Sequence, residues 1–467
     1  MRLERDFLGT AQLDDENPFG IHTHRAEHNF RFSADRMRAD IFAALILVKK
    51  AAALANQGVG LLSDELAKAI VAAADELLGD PGRFTPPLHP LQGGAGTSMN
   101  MAANEVLANL ALRHLGRPFG DYDYLSPLDH VNLSQSTNDT VPTAVRIAVI
   151  RGLETLHAAV EKLLGELQKK ERDYASILKI GRTELQDAMP VSVGQEFGAW
   201  AESVSRFRWR LDKAREWVRQ INLGGTAVGT GINADRGYAA LAVQHLRRLS
   251  ELPLSQSRNL VDGTQNVDQL VEVSGLVKTG AASIKKIASD LRLLSSGPRC
   301  GIGELELPAL QAGSSIMPGK VNPVMLEAVE QVCIDVFAAD MAVTIAAAES
   351  NLELPQFLPL IAHRLLSAIE TLTGAVRGFA ETVSGIGVNE VNVARHLGRA
   401  FSLATLLTPL IGYERAAELV KEAQERDCGI VDCLREKGWL DEATLNRALT
   451  PGVMASPGLP FFEETER

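Results

Sequence analysis

The chain has 467 residues, 46% of them hydrophobic, enough for more than one buried core, so two or three domains are expected. A formal net charge of -11 argues against a nucleic-acid partner, whose phosphates need a basic face; an anionic ligand would need a locally positive site. Four cysteines (Cys300, Cys333, Cys428 and Cys433) are too few for a disulfide framework, match no zinc spacing, and read as free thiols. The charged start Met1 to Asp6 lacks an apolar signal core, and we find no uninterrupted apolar run long enough to cross a bilayer. A soluble, cytoplasmic protein with no membrane partner is expected.

Residues 1–35 read as irregular. The alternate histidines His22 and His24 lack further ligands, so they read as loop and cap residues, and no metal site is expected. Residues 36–80 carry Ala, Leu and Lys at helical spacing; two helices fit, broken near 56–60, with Ser63 capping the second. Pro81-Gly82 and Pro86-Pro87 mark a loop, followed by Gly93 to Ser98 and a helix to about Leu115. Residues 121–135 look extended or irregular. After Ser136-Thr137-Asn138-Asp139-Thr140, Pro142 opens a long helix whose apolar stripe is Val145, Val149, Leu153, Leu156, Val160, Leu163 and Leu167.

A break over 178–189 holds Gly181-Arg182-Thr183-Glu184, and Pro190 opens a helix to about Ile221. Gly224 to Gly231 is too glycine-rich for a helix and lacks the strand of a dinucleotide fingerprint; it reads as close backbone packing or a pocket wall. Helical spacing returns over 263–296, 323–350 and 356–384. The expectation is a mainly all-α chain. It divides into a mostly helical N-terminal domain (1–140), a central domain of long helices (141–390) and a small helical C-terminal domain (391–467). Helices this long suggest a bundle, with apolar stripes that partner subunits would cover.

The run Gly313-Ser314-Ser315-Ile316-Met317-Pro318-Gly319-Lys320-Val321-Asn322-Pro323 begins as a hydroxyl-rich loop and ends at a helix start, with Asn322 as a favoured N-cap. Three further polar loops repeat the design: Gly96-Thr97-Ser98, Ser136-Thr137-Asn138 and Gly181-Arg182-Thr183-Glu184. Each offers hydroxyl or amide donors and free backbone N–H groups at a positive helix end. Four such loops, if they converge, form a pocket for a small dicarboxylate or amino acid, with Lys320 and Asn322 suited to one carboxylate. No Cys–His nucleophile, metal cluster or phosphate loop is evident. Such a pocket suits proton removal beside a carboxylate, with Ser314 as the base and the aimed donors stabilising an enediolate.

The run 313–323 matches in full the G-S-S-x-M-P-x-K-x-N-P signature of the aspartase/fumarase superfamily. The resemblance extends through Phe19–Arg25, Gly93–Glu105, Ser134–Thr143, Gly181–Glu196, Asn222–Asn233 and Leu291–Pro323. Its wording at Gly93 to Met101, Asp129 to Asn132, Gln135 to Asp139 and Leu293 to Arg299 is most similar to the aspartate ammonia-lyases, whereas Gly301-Ile302-Gly303-Glu304 is closer to fumarases. The resemblance implies a three-domain helical subunit, a central five-helix bundle, and a homotetramer whose active sites are shared between subunits. It implies reversible elimination of ammonia from L-aspartate to give fumarate. The alternatives are a fumarate hydratase, or an amine lyase acting on another amino acid or betaine (ergothionase-like).

By the same resemblance Ser314 is the base, and Lys320 and Asn322 hold the α-carboxylate. Ser136, Thr137 and Ser315 hold the β-carboxylate, while Thr97, Asn138 and Thr183 contact the amino group or the adjacent carboxylate. No cofactor is required, and some relatives are activated by divalent cations. Two departures stand out. Ala102 replaces a frequent asparagine, and Glu184 stands where relatives usually have histidine or glutamine. A histidine there can pair with a glutamate at the position of Glu327; here Glu184 and Glu327 would be two neighbouring carboxyls, or Glu184 would meet a substrate ammonium. A non-catalytic, crystallin-like scaffold is the remaining class, and the intact Ser314, Lys320 and Asn322 count against it.

Overall fold

The structure, a computed structural model, describes residues 1–456 apart from Pro81 and Arg83. Pro81 of the expected turn and residues 457–467 of the expected tail therefore lie outside the described residues. The chain opens with a hairpin, β1 (Arg2–Asp6) and β2 (Gly9–Leu13). Then come α1 (Ile21–Asn29), α2 (Ala39–Gly58), α3 (Asp64–Gly79), α4 (Thr97–His114), a π turn at Pro127–Val131, and α5 (Thr137–Asp173). A second hairpin, β3 (Leu178–Thr183) and β4 (Gln186–Ser192), precedes α6 (Val193–Val218), α7 (Tyr238–Ser250), α8 (Leu260–Gln265) and α9 (Asp268–Leu294). Next are α10 (Val324–Ala348), α11 (Leu358–Ser384) and shorter helices from α12 (Glu390–Arg399) to α17 (Pro451–Met454). The fold is mainly α-helical: α5, α6, α9, α10 and α11 run for 37, 26, 27, 25 and 27 residues. The described sheets are all two-stranded.

The chain packs as two compact units. One holds Met1–His157, Trp209–Ala281 and Ile334–Thr373; the other holds Ala158–Arg208, Ala282–Cys333 and Gly374–Arg467. In the first, α2 packs against α3, α4 and α7. Burial round most of its circumference explains its composition: Phe42, Leu45 and Ile46 are inside, each contributing about 1.5–3 kcal/mol. Ser63 accepts from Leu66 N at 3.4 Å and caps α3 as its sequence predicts. In the second unit α12 packs on β3, and α13 (Leu403–Ile411), α14 (Tyr413–Arg426) and α15 (Ile430–Lys437) close a core around Leu407, Leu419, Ile430 and Leu434.

The long helices follow their apolar periods. Every residue of the α5 stripe, Val145 to Leu167, is buried, as are Leu270, Val273, Val277, Ile284 and Leu291 of α9. Boundaries differ where local chemistry outweighs proline. Helix α5 starts at Thr137, with Pro142 inside it, because Ser136 and Asp139 form a reciprocal cap: Asn138 N donates to Ser136 Oγ (3.2 Å) and Ser136 N to Asp139 Oδ1 (2.9 Å). Pro190 opens no helix. It lies in β4 opposite Ile180, and α6 begins three residues later at Val193. The strands of this hairpin are too short and too polar at the tip for their period to show.

One further expectation is corrected. The structure joins Cys428 to Cys433, with Cα atoms 7.0 Å apart, because the loop after α14 brings Cys428 onto the buried face of α15; Cys300 and Cys333 are free. Helix α10, at mean hydropathy 1.6, is long and apolar enough to cross a membrane, although only a third of its most apolar window is buried. Two of its acidic residues are paired within the protein: Glu330 with Arg292 (2.7 Å), and Asp340 with Ser274 (2.8 Å) and Lys278.

Candidate active site

In the first unit the first turns of α4 and α5 lie side by side, with Gly96 packed so closely on Val141 that an added Cβ would meet it at 2.9 Å. Thr140 on α5 donates to Asn100 Oδ1 on α4 at 3.0 Å. Thr97 is the first residue of α4, and its hydroxyl donates to Gly94 O at 2.7 Å. Pro142 has no N–H to give the carbonyl of Asn138, four residues back. The Asn222 side chain donates to that carbonyl instead, at 2.9 Å, while Asn138 Nδ2 donates to Ala227 O at 2.7 Å. The glycine-rich loop after α6 is thereby tied to the α5 start.

Beneath this loop is a buried polar network. Asn132 Oδ1 accepts from Lys49 Nζ (2.9 Å), Asn100 Nδ2 (3.1 Å) and Asn104 Nδ2 (3.1 Å). Lys49 also donates to Gln135 Oε1 at 2.9 Å. Burial pushes the Lys49 amine down to about 7, with nearby Asp139 opposing. Burial raises the Asp139 carboxyl to about 6, against N–H donors from Ser136, Thr226 and Gly224 and the charge of Lys49. Ala102 is wholly buried, and Asn100 and Asn104 alone of this run reach Asn132. A second carboxylate, Glu105, accepts from Gly20 N, His22 N and Thr23 N and caps α1; burial raises it to about 7.

In the second unit, Thr183 and Glu184 stand at the tip of the β3–β4 hairpin. This corrects the expectation that Gly181 to Glu184 runs into a helix: Thr183 pairs with Gln186, and Glu184-Leu185 is the two-residue turn. Both are exposed, and both have positive φ, 53° and 64°. Below the tip, Arg182 forks onto Glu304 at 2.6 and 3.0 Å. Lys179 reaches the same carboxylate at 3.1 Å and Glu196 at 2.9 Å, and His396 Nδ1 lies 2.8 Å from Glu304. Burial pushes the Glu304 carboxyl up, but Arg182, Lys179 and His396 outweigh it and bring it to about 2. Glu327 does not pair with Glu184 within the chain. Its carboxylate lies 3.6 Å from Arg292.

The Ser314–Asn322 loop is closed by its own backbone. Gly313 N donates to Lys320 O at 2.8 Å, and Asn322 Nδ2 to Gly313 O at 2.9 Å. Asn322 therefore bridges the two ends of the loop, and its expected role as a side-chain N-cap is not the one it plays. A Cβ on Gly313 would sit 2.7 Å from Lys320 O, and Gly319 has φ +82°, so both glycines are required by geometry. Ser314 Oγ accepts from Ile316 N (3.2 Å) and Met317 N (3.0 Å). Two N–H groups aimed at a hydroxyl oxygen favour its deprotonated form. Ser315 and Lys320 are exposed.

Sequence reasoning missed Lys49, Asn132, Asp139, Arg182 and Glu304. Lys49 could have been found: with Ile41, Leu45 and Asn56 it occupies one buried helical stripe, where a lysine needs a reason. Among the described residues no group of three or more His, Cys, Asp or Glu side chains is placed to hold a metal ion.

These loops, helices and their order define a class. A family model described as Lyase matches residues 9–338 and one described as Fumarase C C-terminus matches residues 403–456. The chain belongs to the aspartase/fumarase superfamily of lyases. At closer range it is 42% identical to an aspartate ammonia-lyase of a Bacillus species and 43% identical to that of Pseudomonas aeruginosa, in each case over 98% of this chain and 98% of the relative. Among solved structures, a fumarate lyase:delta crystallin from Brucella melitensis bound to cobalt superposes with TM-score 0.94 at 44% identity, covering 98% of this chain and all of that one. A class II fumarase from Schistosoma mansoni gives 0.90 at 32% identity, with 97% and 99% covered.

Proposed function

We propose that this lyase eliminates ammonia from L-aspartate to give fumarate, reversibly. The observation that carries the reading is the Ser314 loop, where two backbone donors point at one serine oxygen on a segment that also bears Lys320 and Asn322. Ser314 Oγ, as alkoxide, takes the β-proton, and the electron pair left on carbon delocalises into the β-carboxylate as an enediolate. The C–N bond then breaks, the double bond forms, and ammonia leaves. Ser136, Thr137 and Ser315 donate to the enediolate, and their fixed dipoles stabilise it more than the ground state. Lys320 and Asn322 hold the α-carboxylate, while Thr97, Asn138 and Thr183 orient the amine end.

The chemistry calls on no cofactor. The relative solved with cobalt is reason to assay with and without a divalent cation. The active unit is a homotetramer with shared sites. Support comes from α10, where Ile334, Met341 and Ile345 share one helical face and are 53%, 66% and 56% exposed in the single chain. Relatives that are metabolic enzymes fit a cytoplasmic location.

A second reading, a lyase for a bulkier or methylated amine, is favoured by one observation: Glu184 puts a carboxylate on a tip proposed to face the amine. The test is absorbance of the unsaturated acid formed, fumarate from L-aspartate or L-malate and the corresponding acid from each of a panel of β-substituted amino acids and betaines, after adding each to the purified protein. Fumarate from L-aspartate supports the leading reading. Turnover of malate alone supports a hydratase, and turnover only of another amine supports the second reading.

A further inference from the structure

The Glu184-Leu185 turn carries backbone strain that no glycine relieves. With Thr183 paired to Gln186, the two residues between them form a two-residue hairpin turn with both φ values positive, 53° and 64°. This is the type I′ shape, which Asn-Gly adopts readily and Glu-Leu does not. Strained turns persist where the surroundings over-determine them.

The surroundings here are a buried carboxylate. Glu304 has a side chain only 1% exposed and gathers three basic groups: Arg182 through a two-bond fork, Lys179 at 3.1 Å and His396 at 2.8 Å. Its own backbone is fixed, since Glu304 N donates to Leu294 O and Glu304 O accepts from Asn389 N, both at 2.9 Å. Asn392 Nδ2 holds the preceding carbonyl, Gly303 O, at 2.9 Å. The fork matters because it fixes direction as well as distance. Arg182 is next to Thr183 in β3, so a guanidinium locked in plane sets the angle at which the strand delivers the tip.

We infer that Glu304 is a positioning residue: through the Arg182 fork it holds the strained Glu184-Leu185 turn, and Thr183 with it, in the orientation that meets the amine end of the substrate. The inference rests on the proposed function for where Thr183 and Glu184 act. The hairpin itself can be followed without that reading.

The experiment uses the full-length protein and compares Glu304→Gln, Arg182→Lys and Glu304→Gln with Leu185→Gly added. Leu185→Gly relieves the turn at a residue outside the proposed substrate contacts. Hydrogen exchange of the 178–192 peptide is expected to rise at least tenfold in Glu304→Gln, to rise less in Arg182→Lys, and to fall back when Leu185→Gly is added. KM for L-aspartate is expected to rise about tenfold in Glu304→Gln and to recover partly in the double variant. The inhibition constant of succinate, which has both carboxylates and no amine, should stay within about twofold.

Unchanged hairpin exchange in both Glu304→Gln and Arg182→Lys overturns the inference, whatever substrate the enzyme prefers. So does an equal rise in the L-aspartate KM and the succinate constant without rescue by Leu185→Gly, which would make Glu304 a general support of the fold. A parent protein inactive on L-aspartate overturns the proposed function instead; the exchange measurement still decides whether the clamp holds the turn.

Discussion

The Ser136–Asn138 loop and the Ser314–Asn322 loop are proposed to serve one reaction, yet they are built in opposite ways. The first is pinned by Lys49, Asp139 and Asn222, which are buried, and by Asn132 and Gln135, which are half-buried. The second is held by its own backbone and one amide bridge, and most of it is exposed in the chain. A loop with few buried contacts opens at low cost, whereas a loop inside a satisfied polar network moves only with its neighbours. The contrast suits the roles proposed: a fixed cradle for the developing enediolate charge, and a movable segment that carries the base and closes over the substrate.

The largest effect is expected at the base. Ser314→Ala should lower kcat by about a thousandfold or more while circular dichroism and thermal midpoint stay at the parent values. Unchanged turnover would remove Ser314 as the base and with it the functional half of the contrast. Next comes Gly313→Ala. A Cβ there meets Lys320 O at 2.7 Å and must open the loop, so kcat/KM should fall about 10–100-fold with little change in thermal midpoint, because the segment is exposed. A large loss of stability instead would show that this loop is as integrated as the other.

The pinned loop should respond the other way. Asn132→Leu leaves Lys49, Asn100 and Asn104 without their shared acceptor and should destabilise the protein by on the order of 2–4 kcal/mol, read by thermal or denaturant unfolding. A midpoint equal to the parent's would mean the network is ornamental.

Acid separates the network under the pinned loop from the Glu304 cluster below the β3–β4 hairpin, because the two titrate with opposite sign. Glu304 is held down at about 2, below its ordinary 4.5, so its stabilising contribution is complete above about 4.5 and is lost as pH falls through that range toward 2. The stability gap between parent and Glu304→Gln should therefore narrow on going from about pH 6 to about pH 3.5. Asp139 is raised to about 6 from 3.8, so its ionisation opposes folding above about 6, and that penalty is relieved as pH falls toward 3.8. The parent should gain stability relative to Asp139→Asn over the same range. Parallel pH profiles for the two variants would contradict both assignments. The smallest effect is expected for Glu184→Gln, a change in kcat/KM for L-aspartate of less than about tenfold; a rise favours the bulkier-amine reading.

Much of the molecule was legible in the sequence because its signals are local. The α5 and α9 stripes repeat at helical spacing, Ser63 caps α3, and the 313–323 run carries the glycines its closed shape needs. What escaped notice was non-local. Pro142 and Pro190 read as helix openers because proline's preference is a one-residue property; the structure puts one inside a helix, where Asn222 supplies the missing hydrogen bond, and the other in a strand opposite Ile180.

By itself the sequence determined the helical class, the long-helix pattern, the superfamily and the residues proposed to touch the substrate, since each is written in short-range spacing or in a contiguous motif. Only the tertiary structure decided that the Thr183-Glu184 segment is a strained hairpin tip, that Asn322 ties a loop shut, that Lys49 is buried against Asn132 and Gln135, and that Glu304 is buried against Arg182. The placement of Lys49 and Glu304 depends on partners 83 to 122 residues apart in the chain, and a charged side chain looks the same in a sequence whether water or a buried amide will meet it.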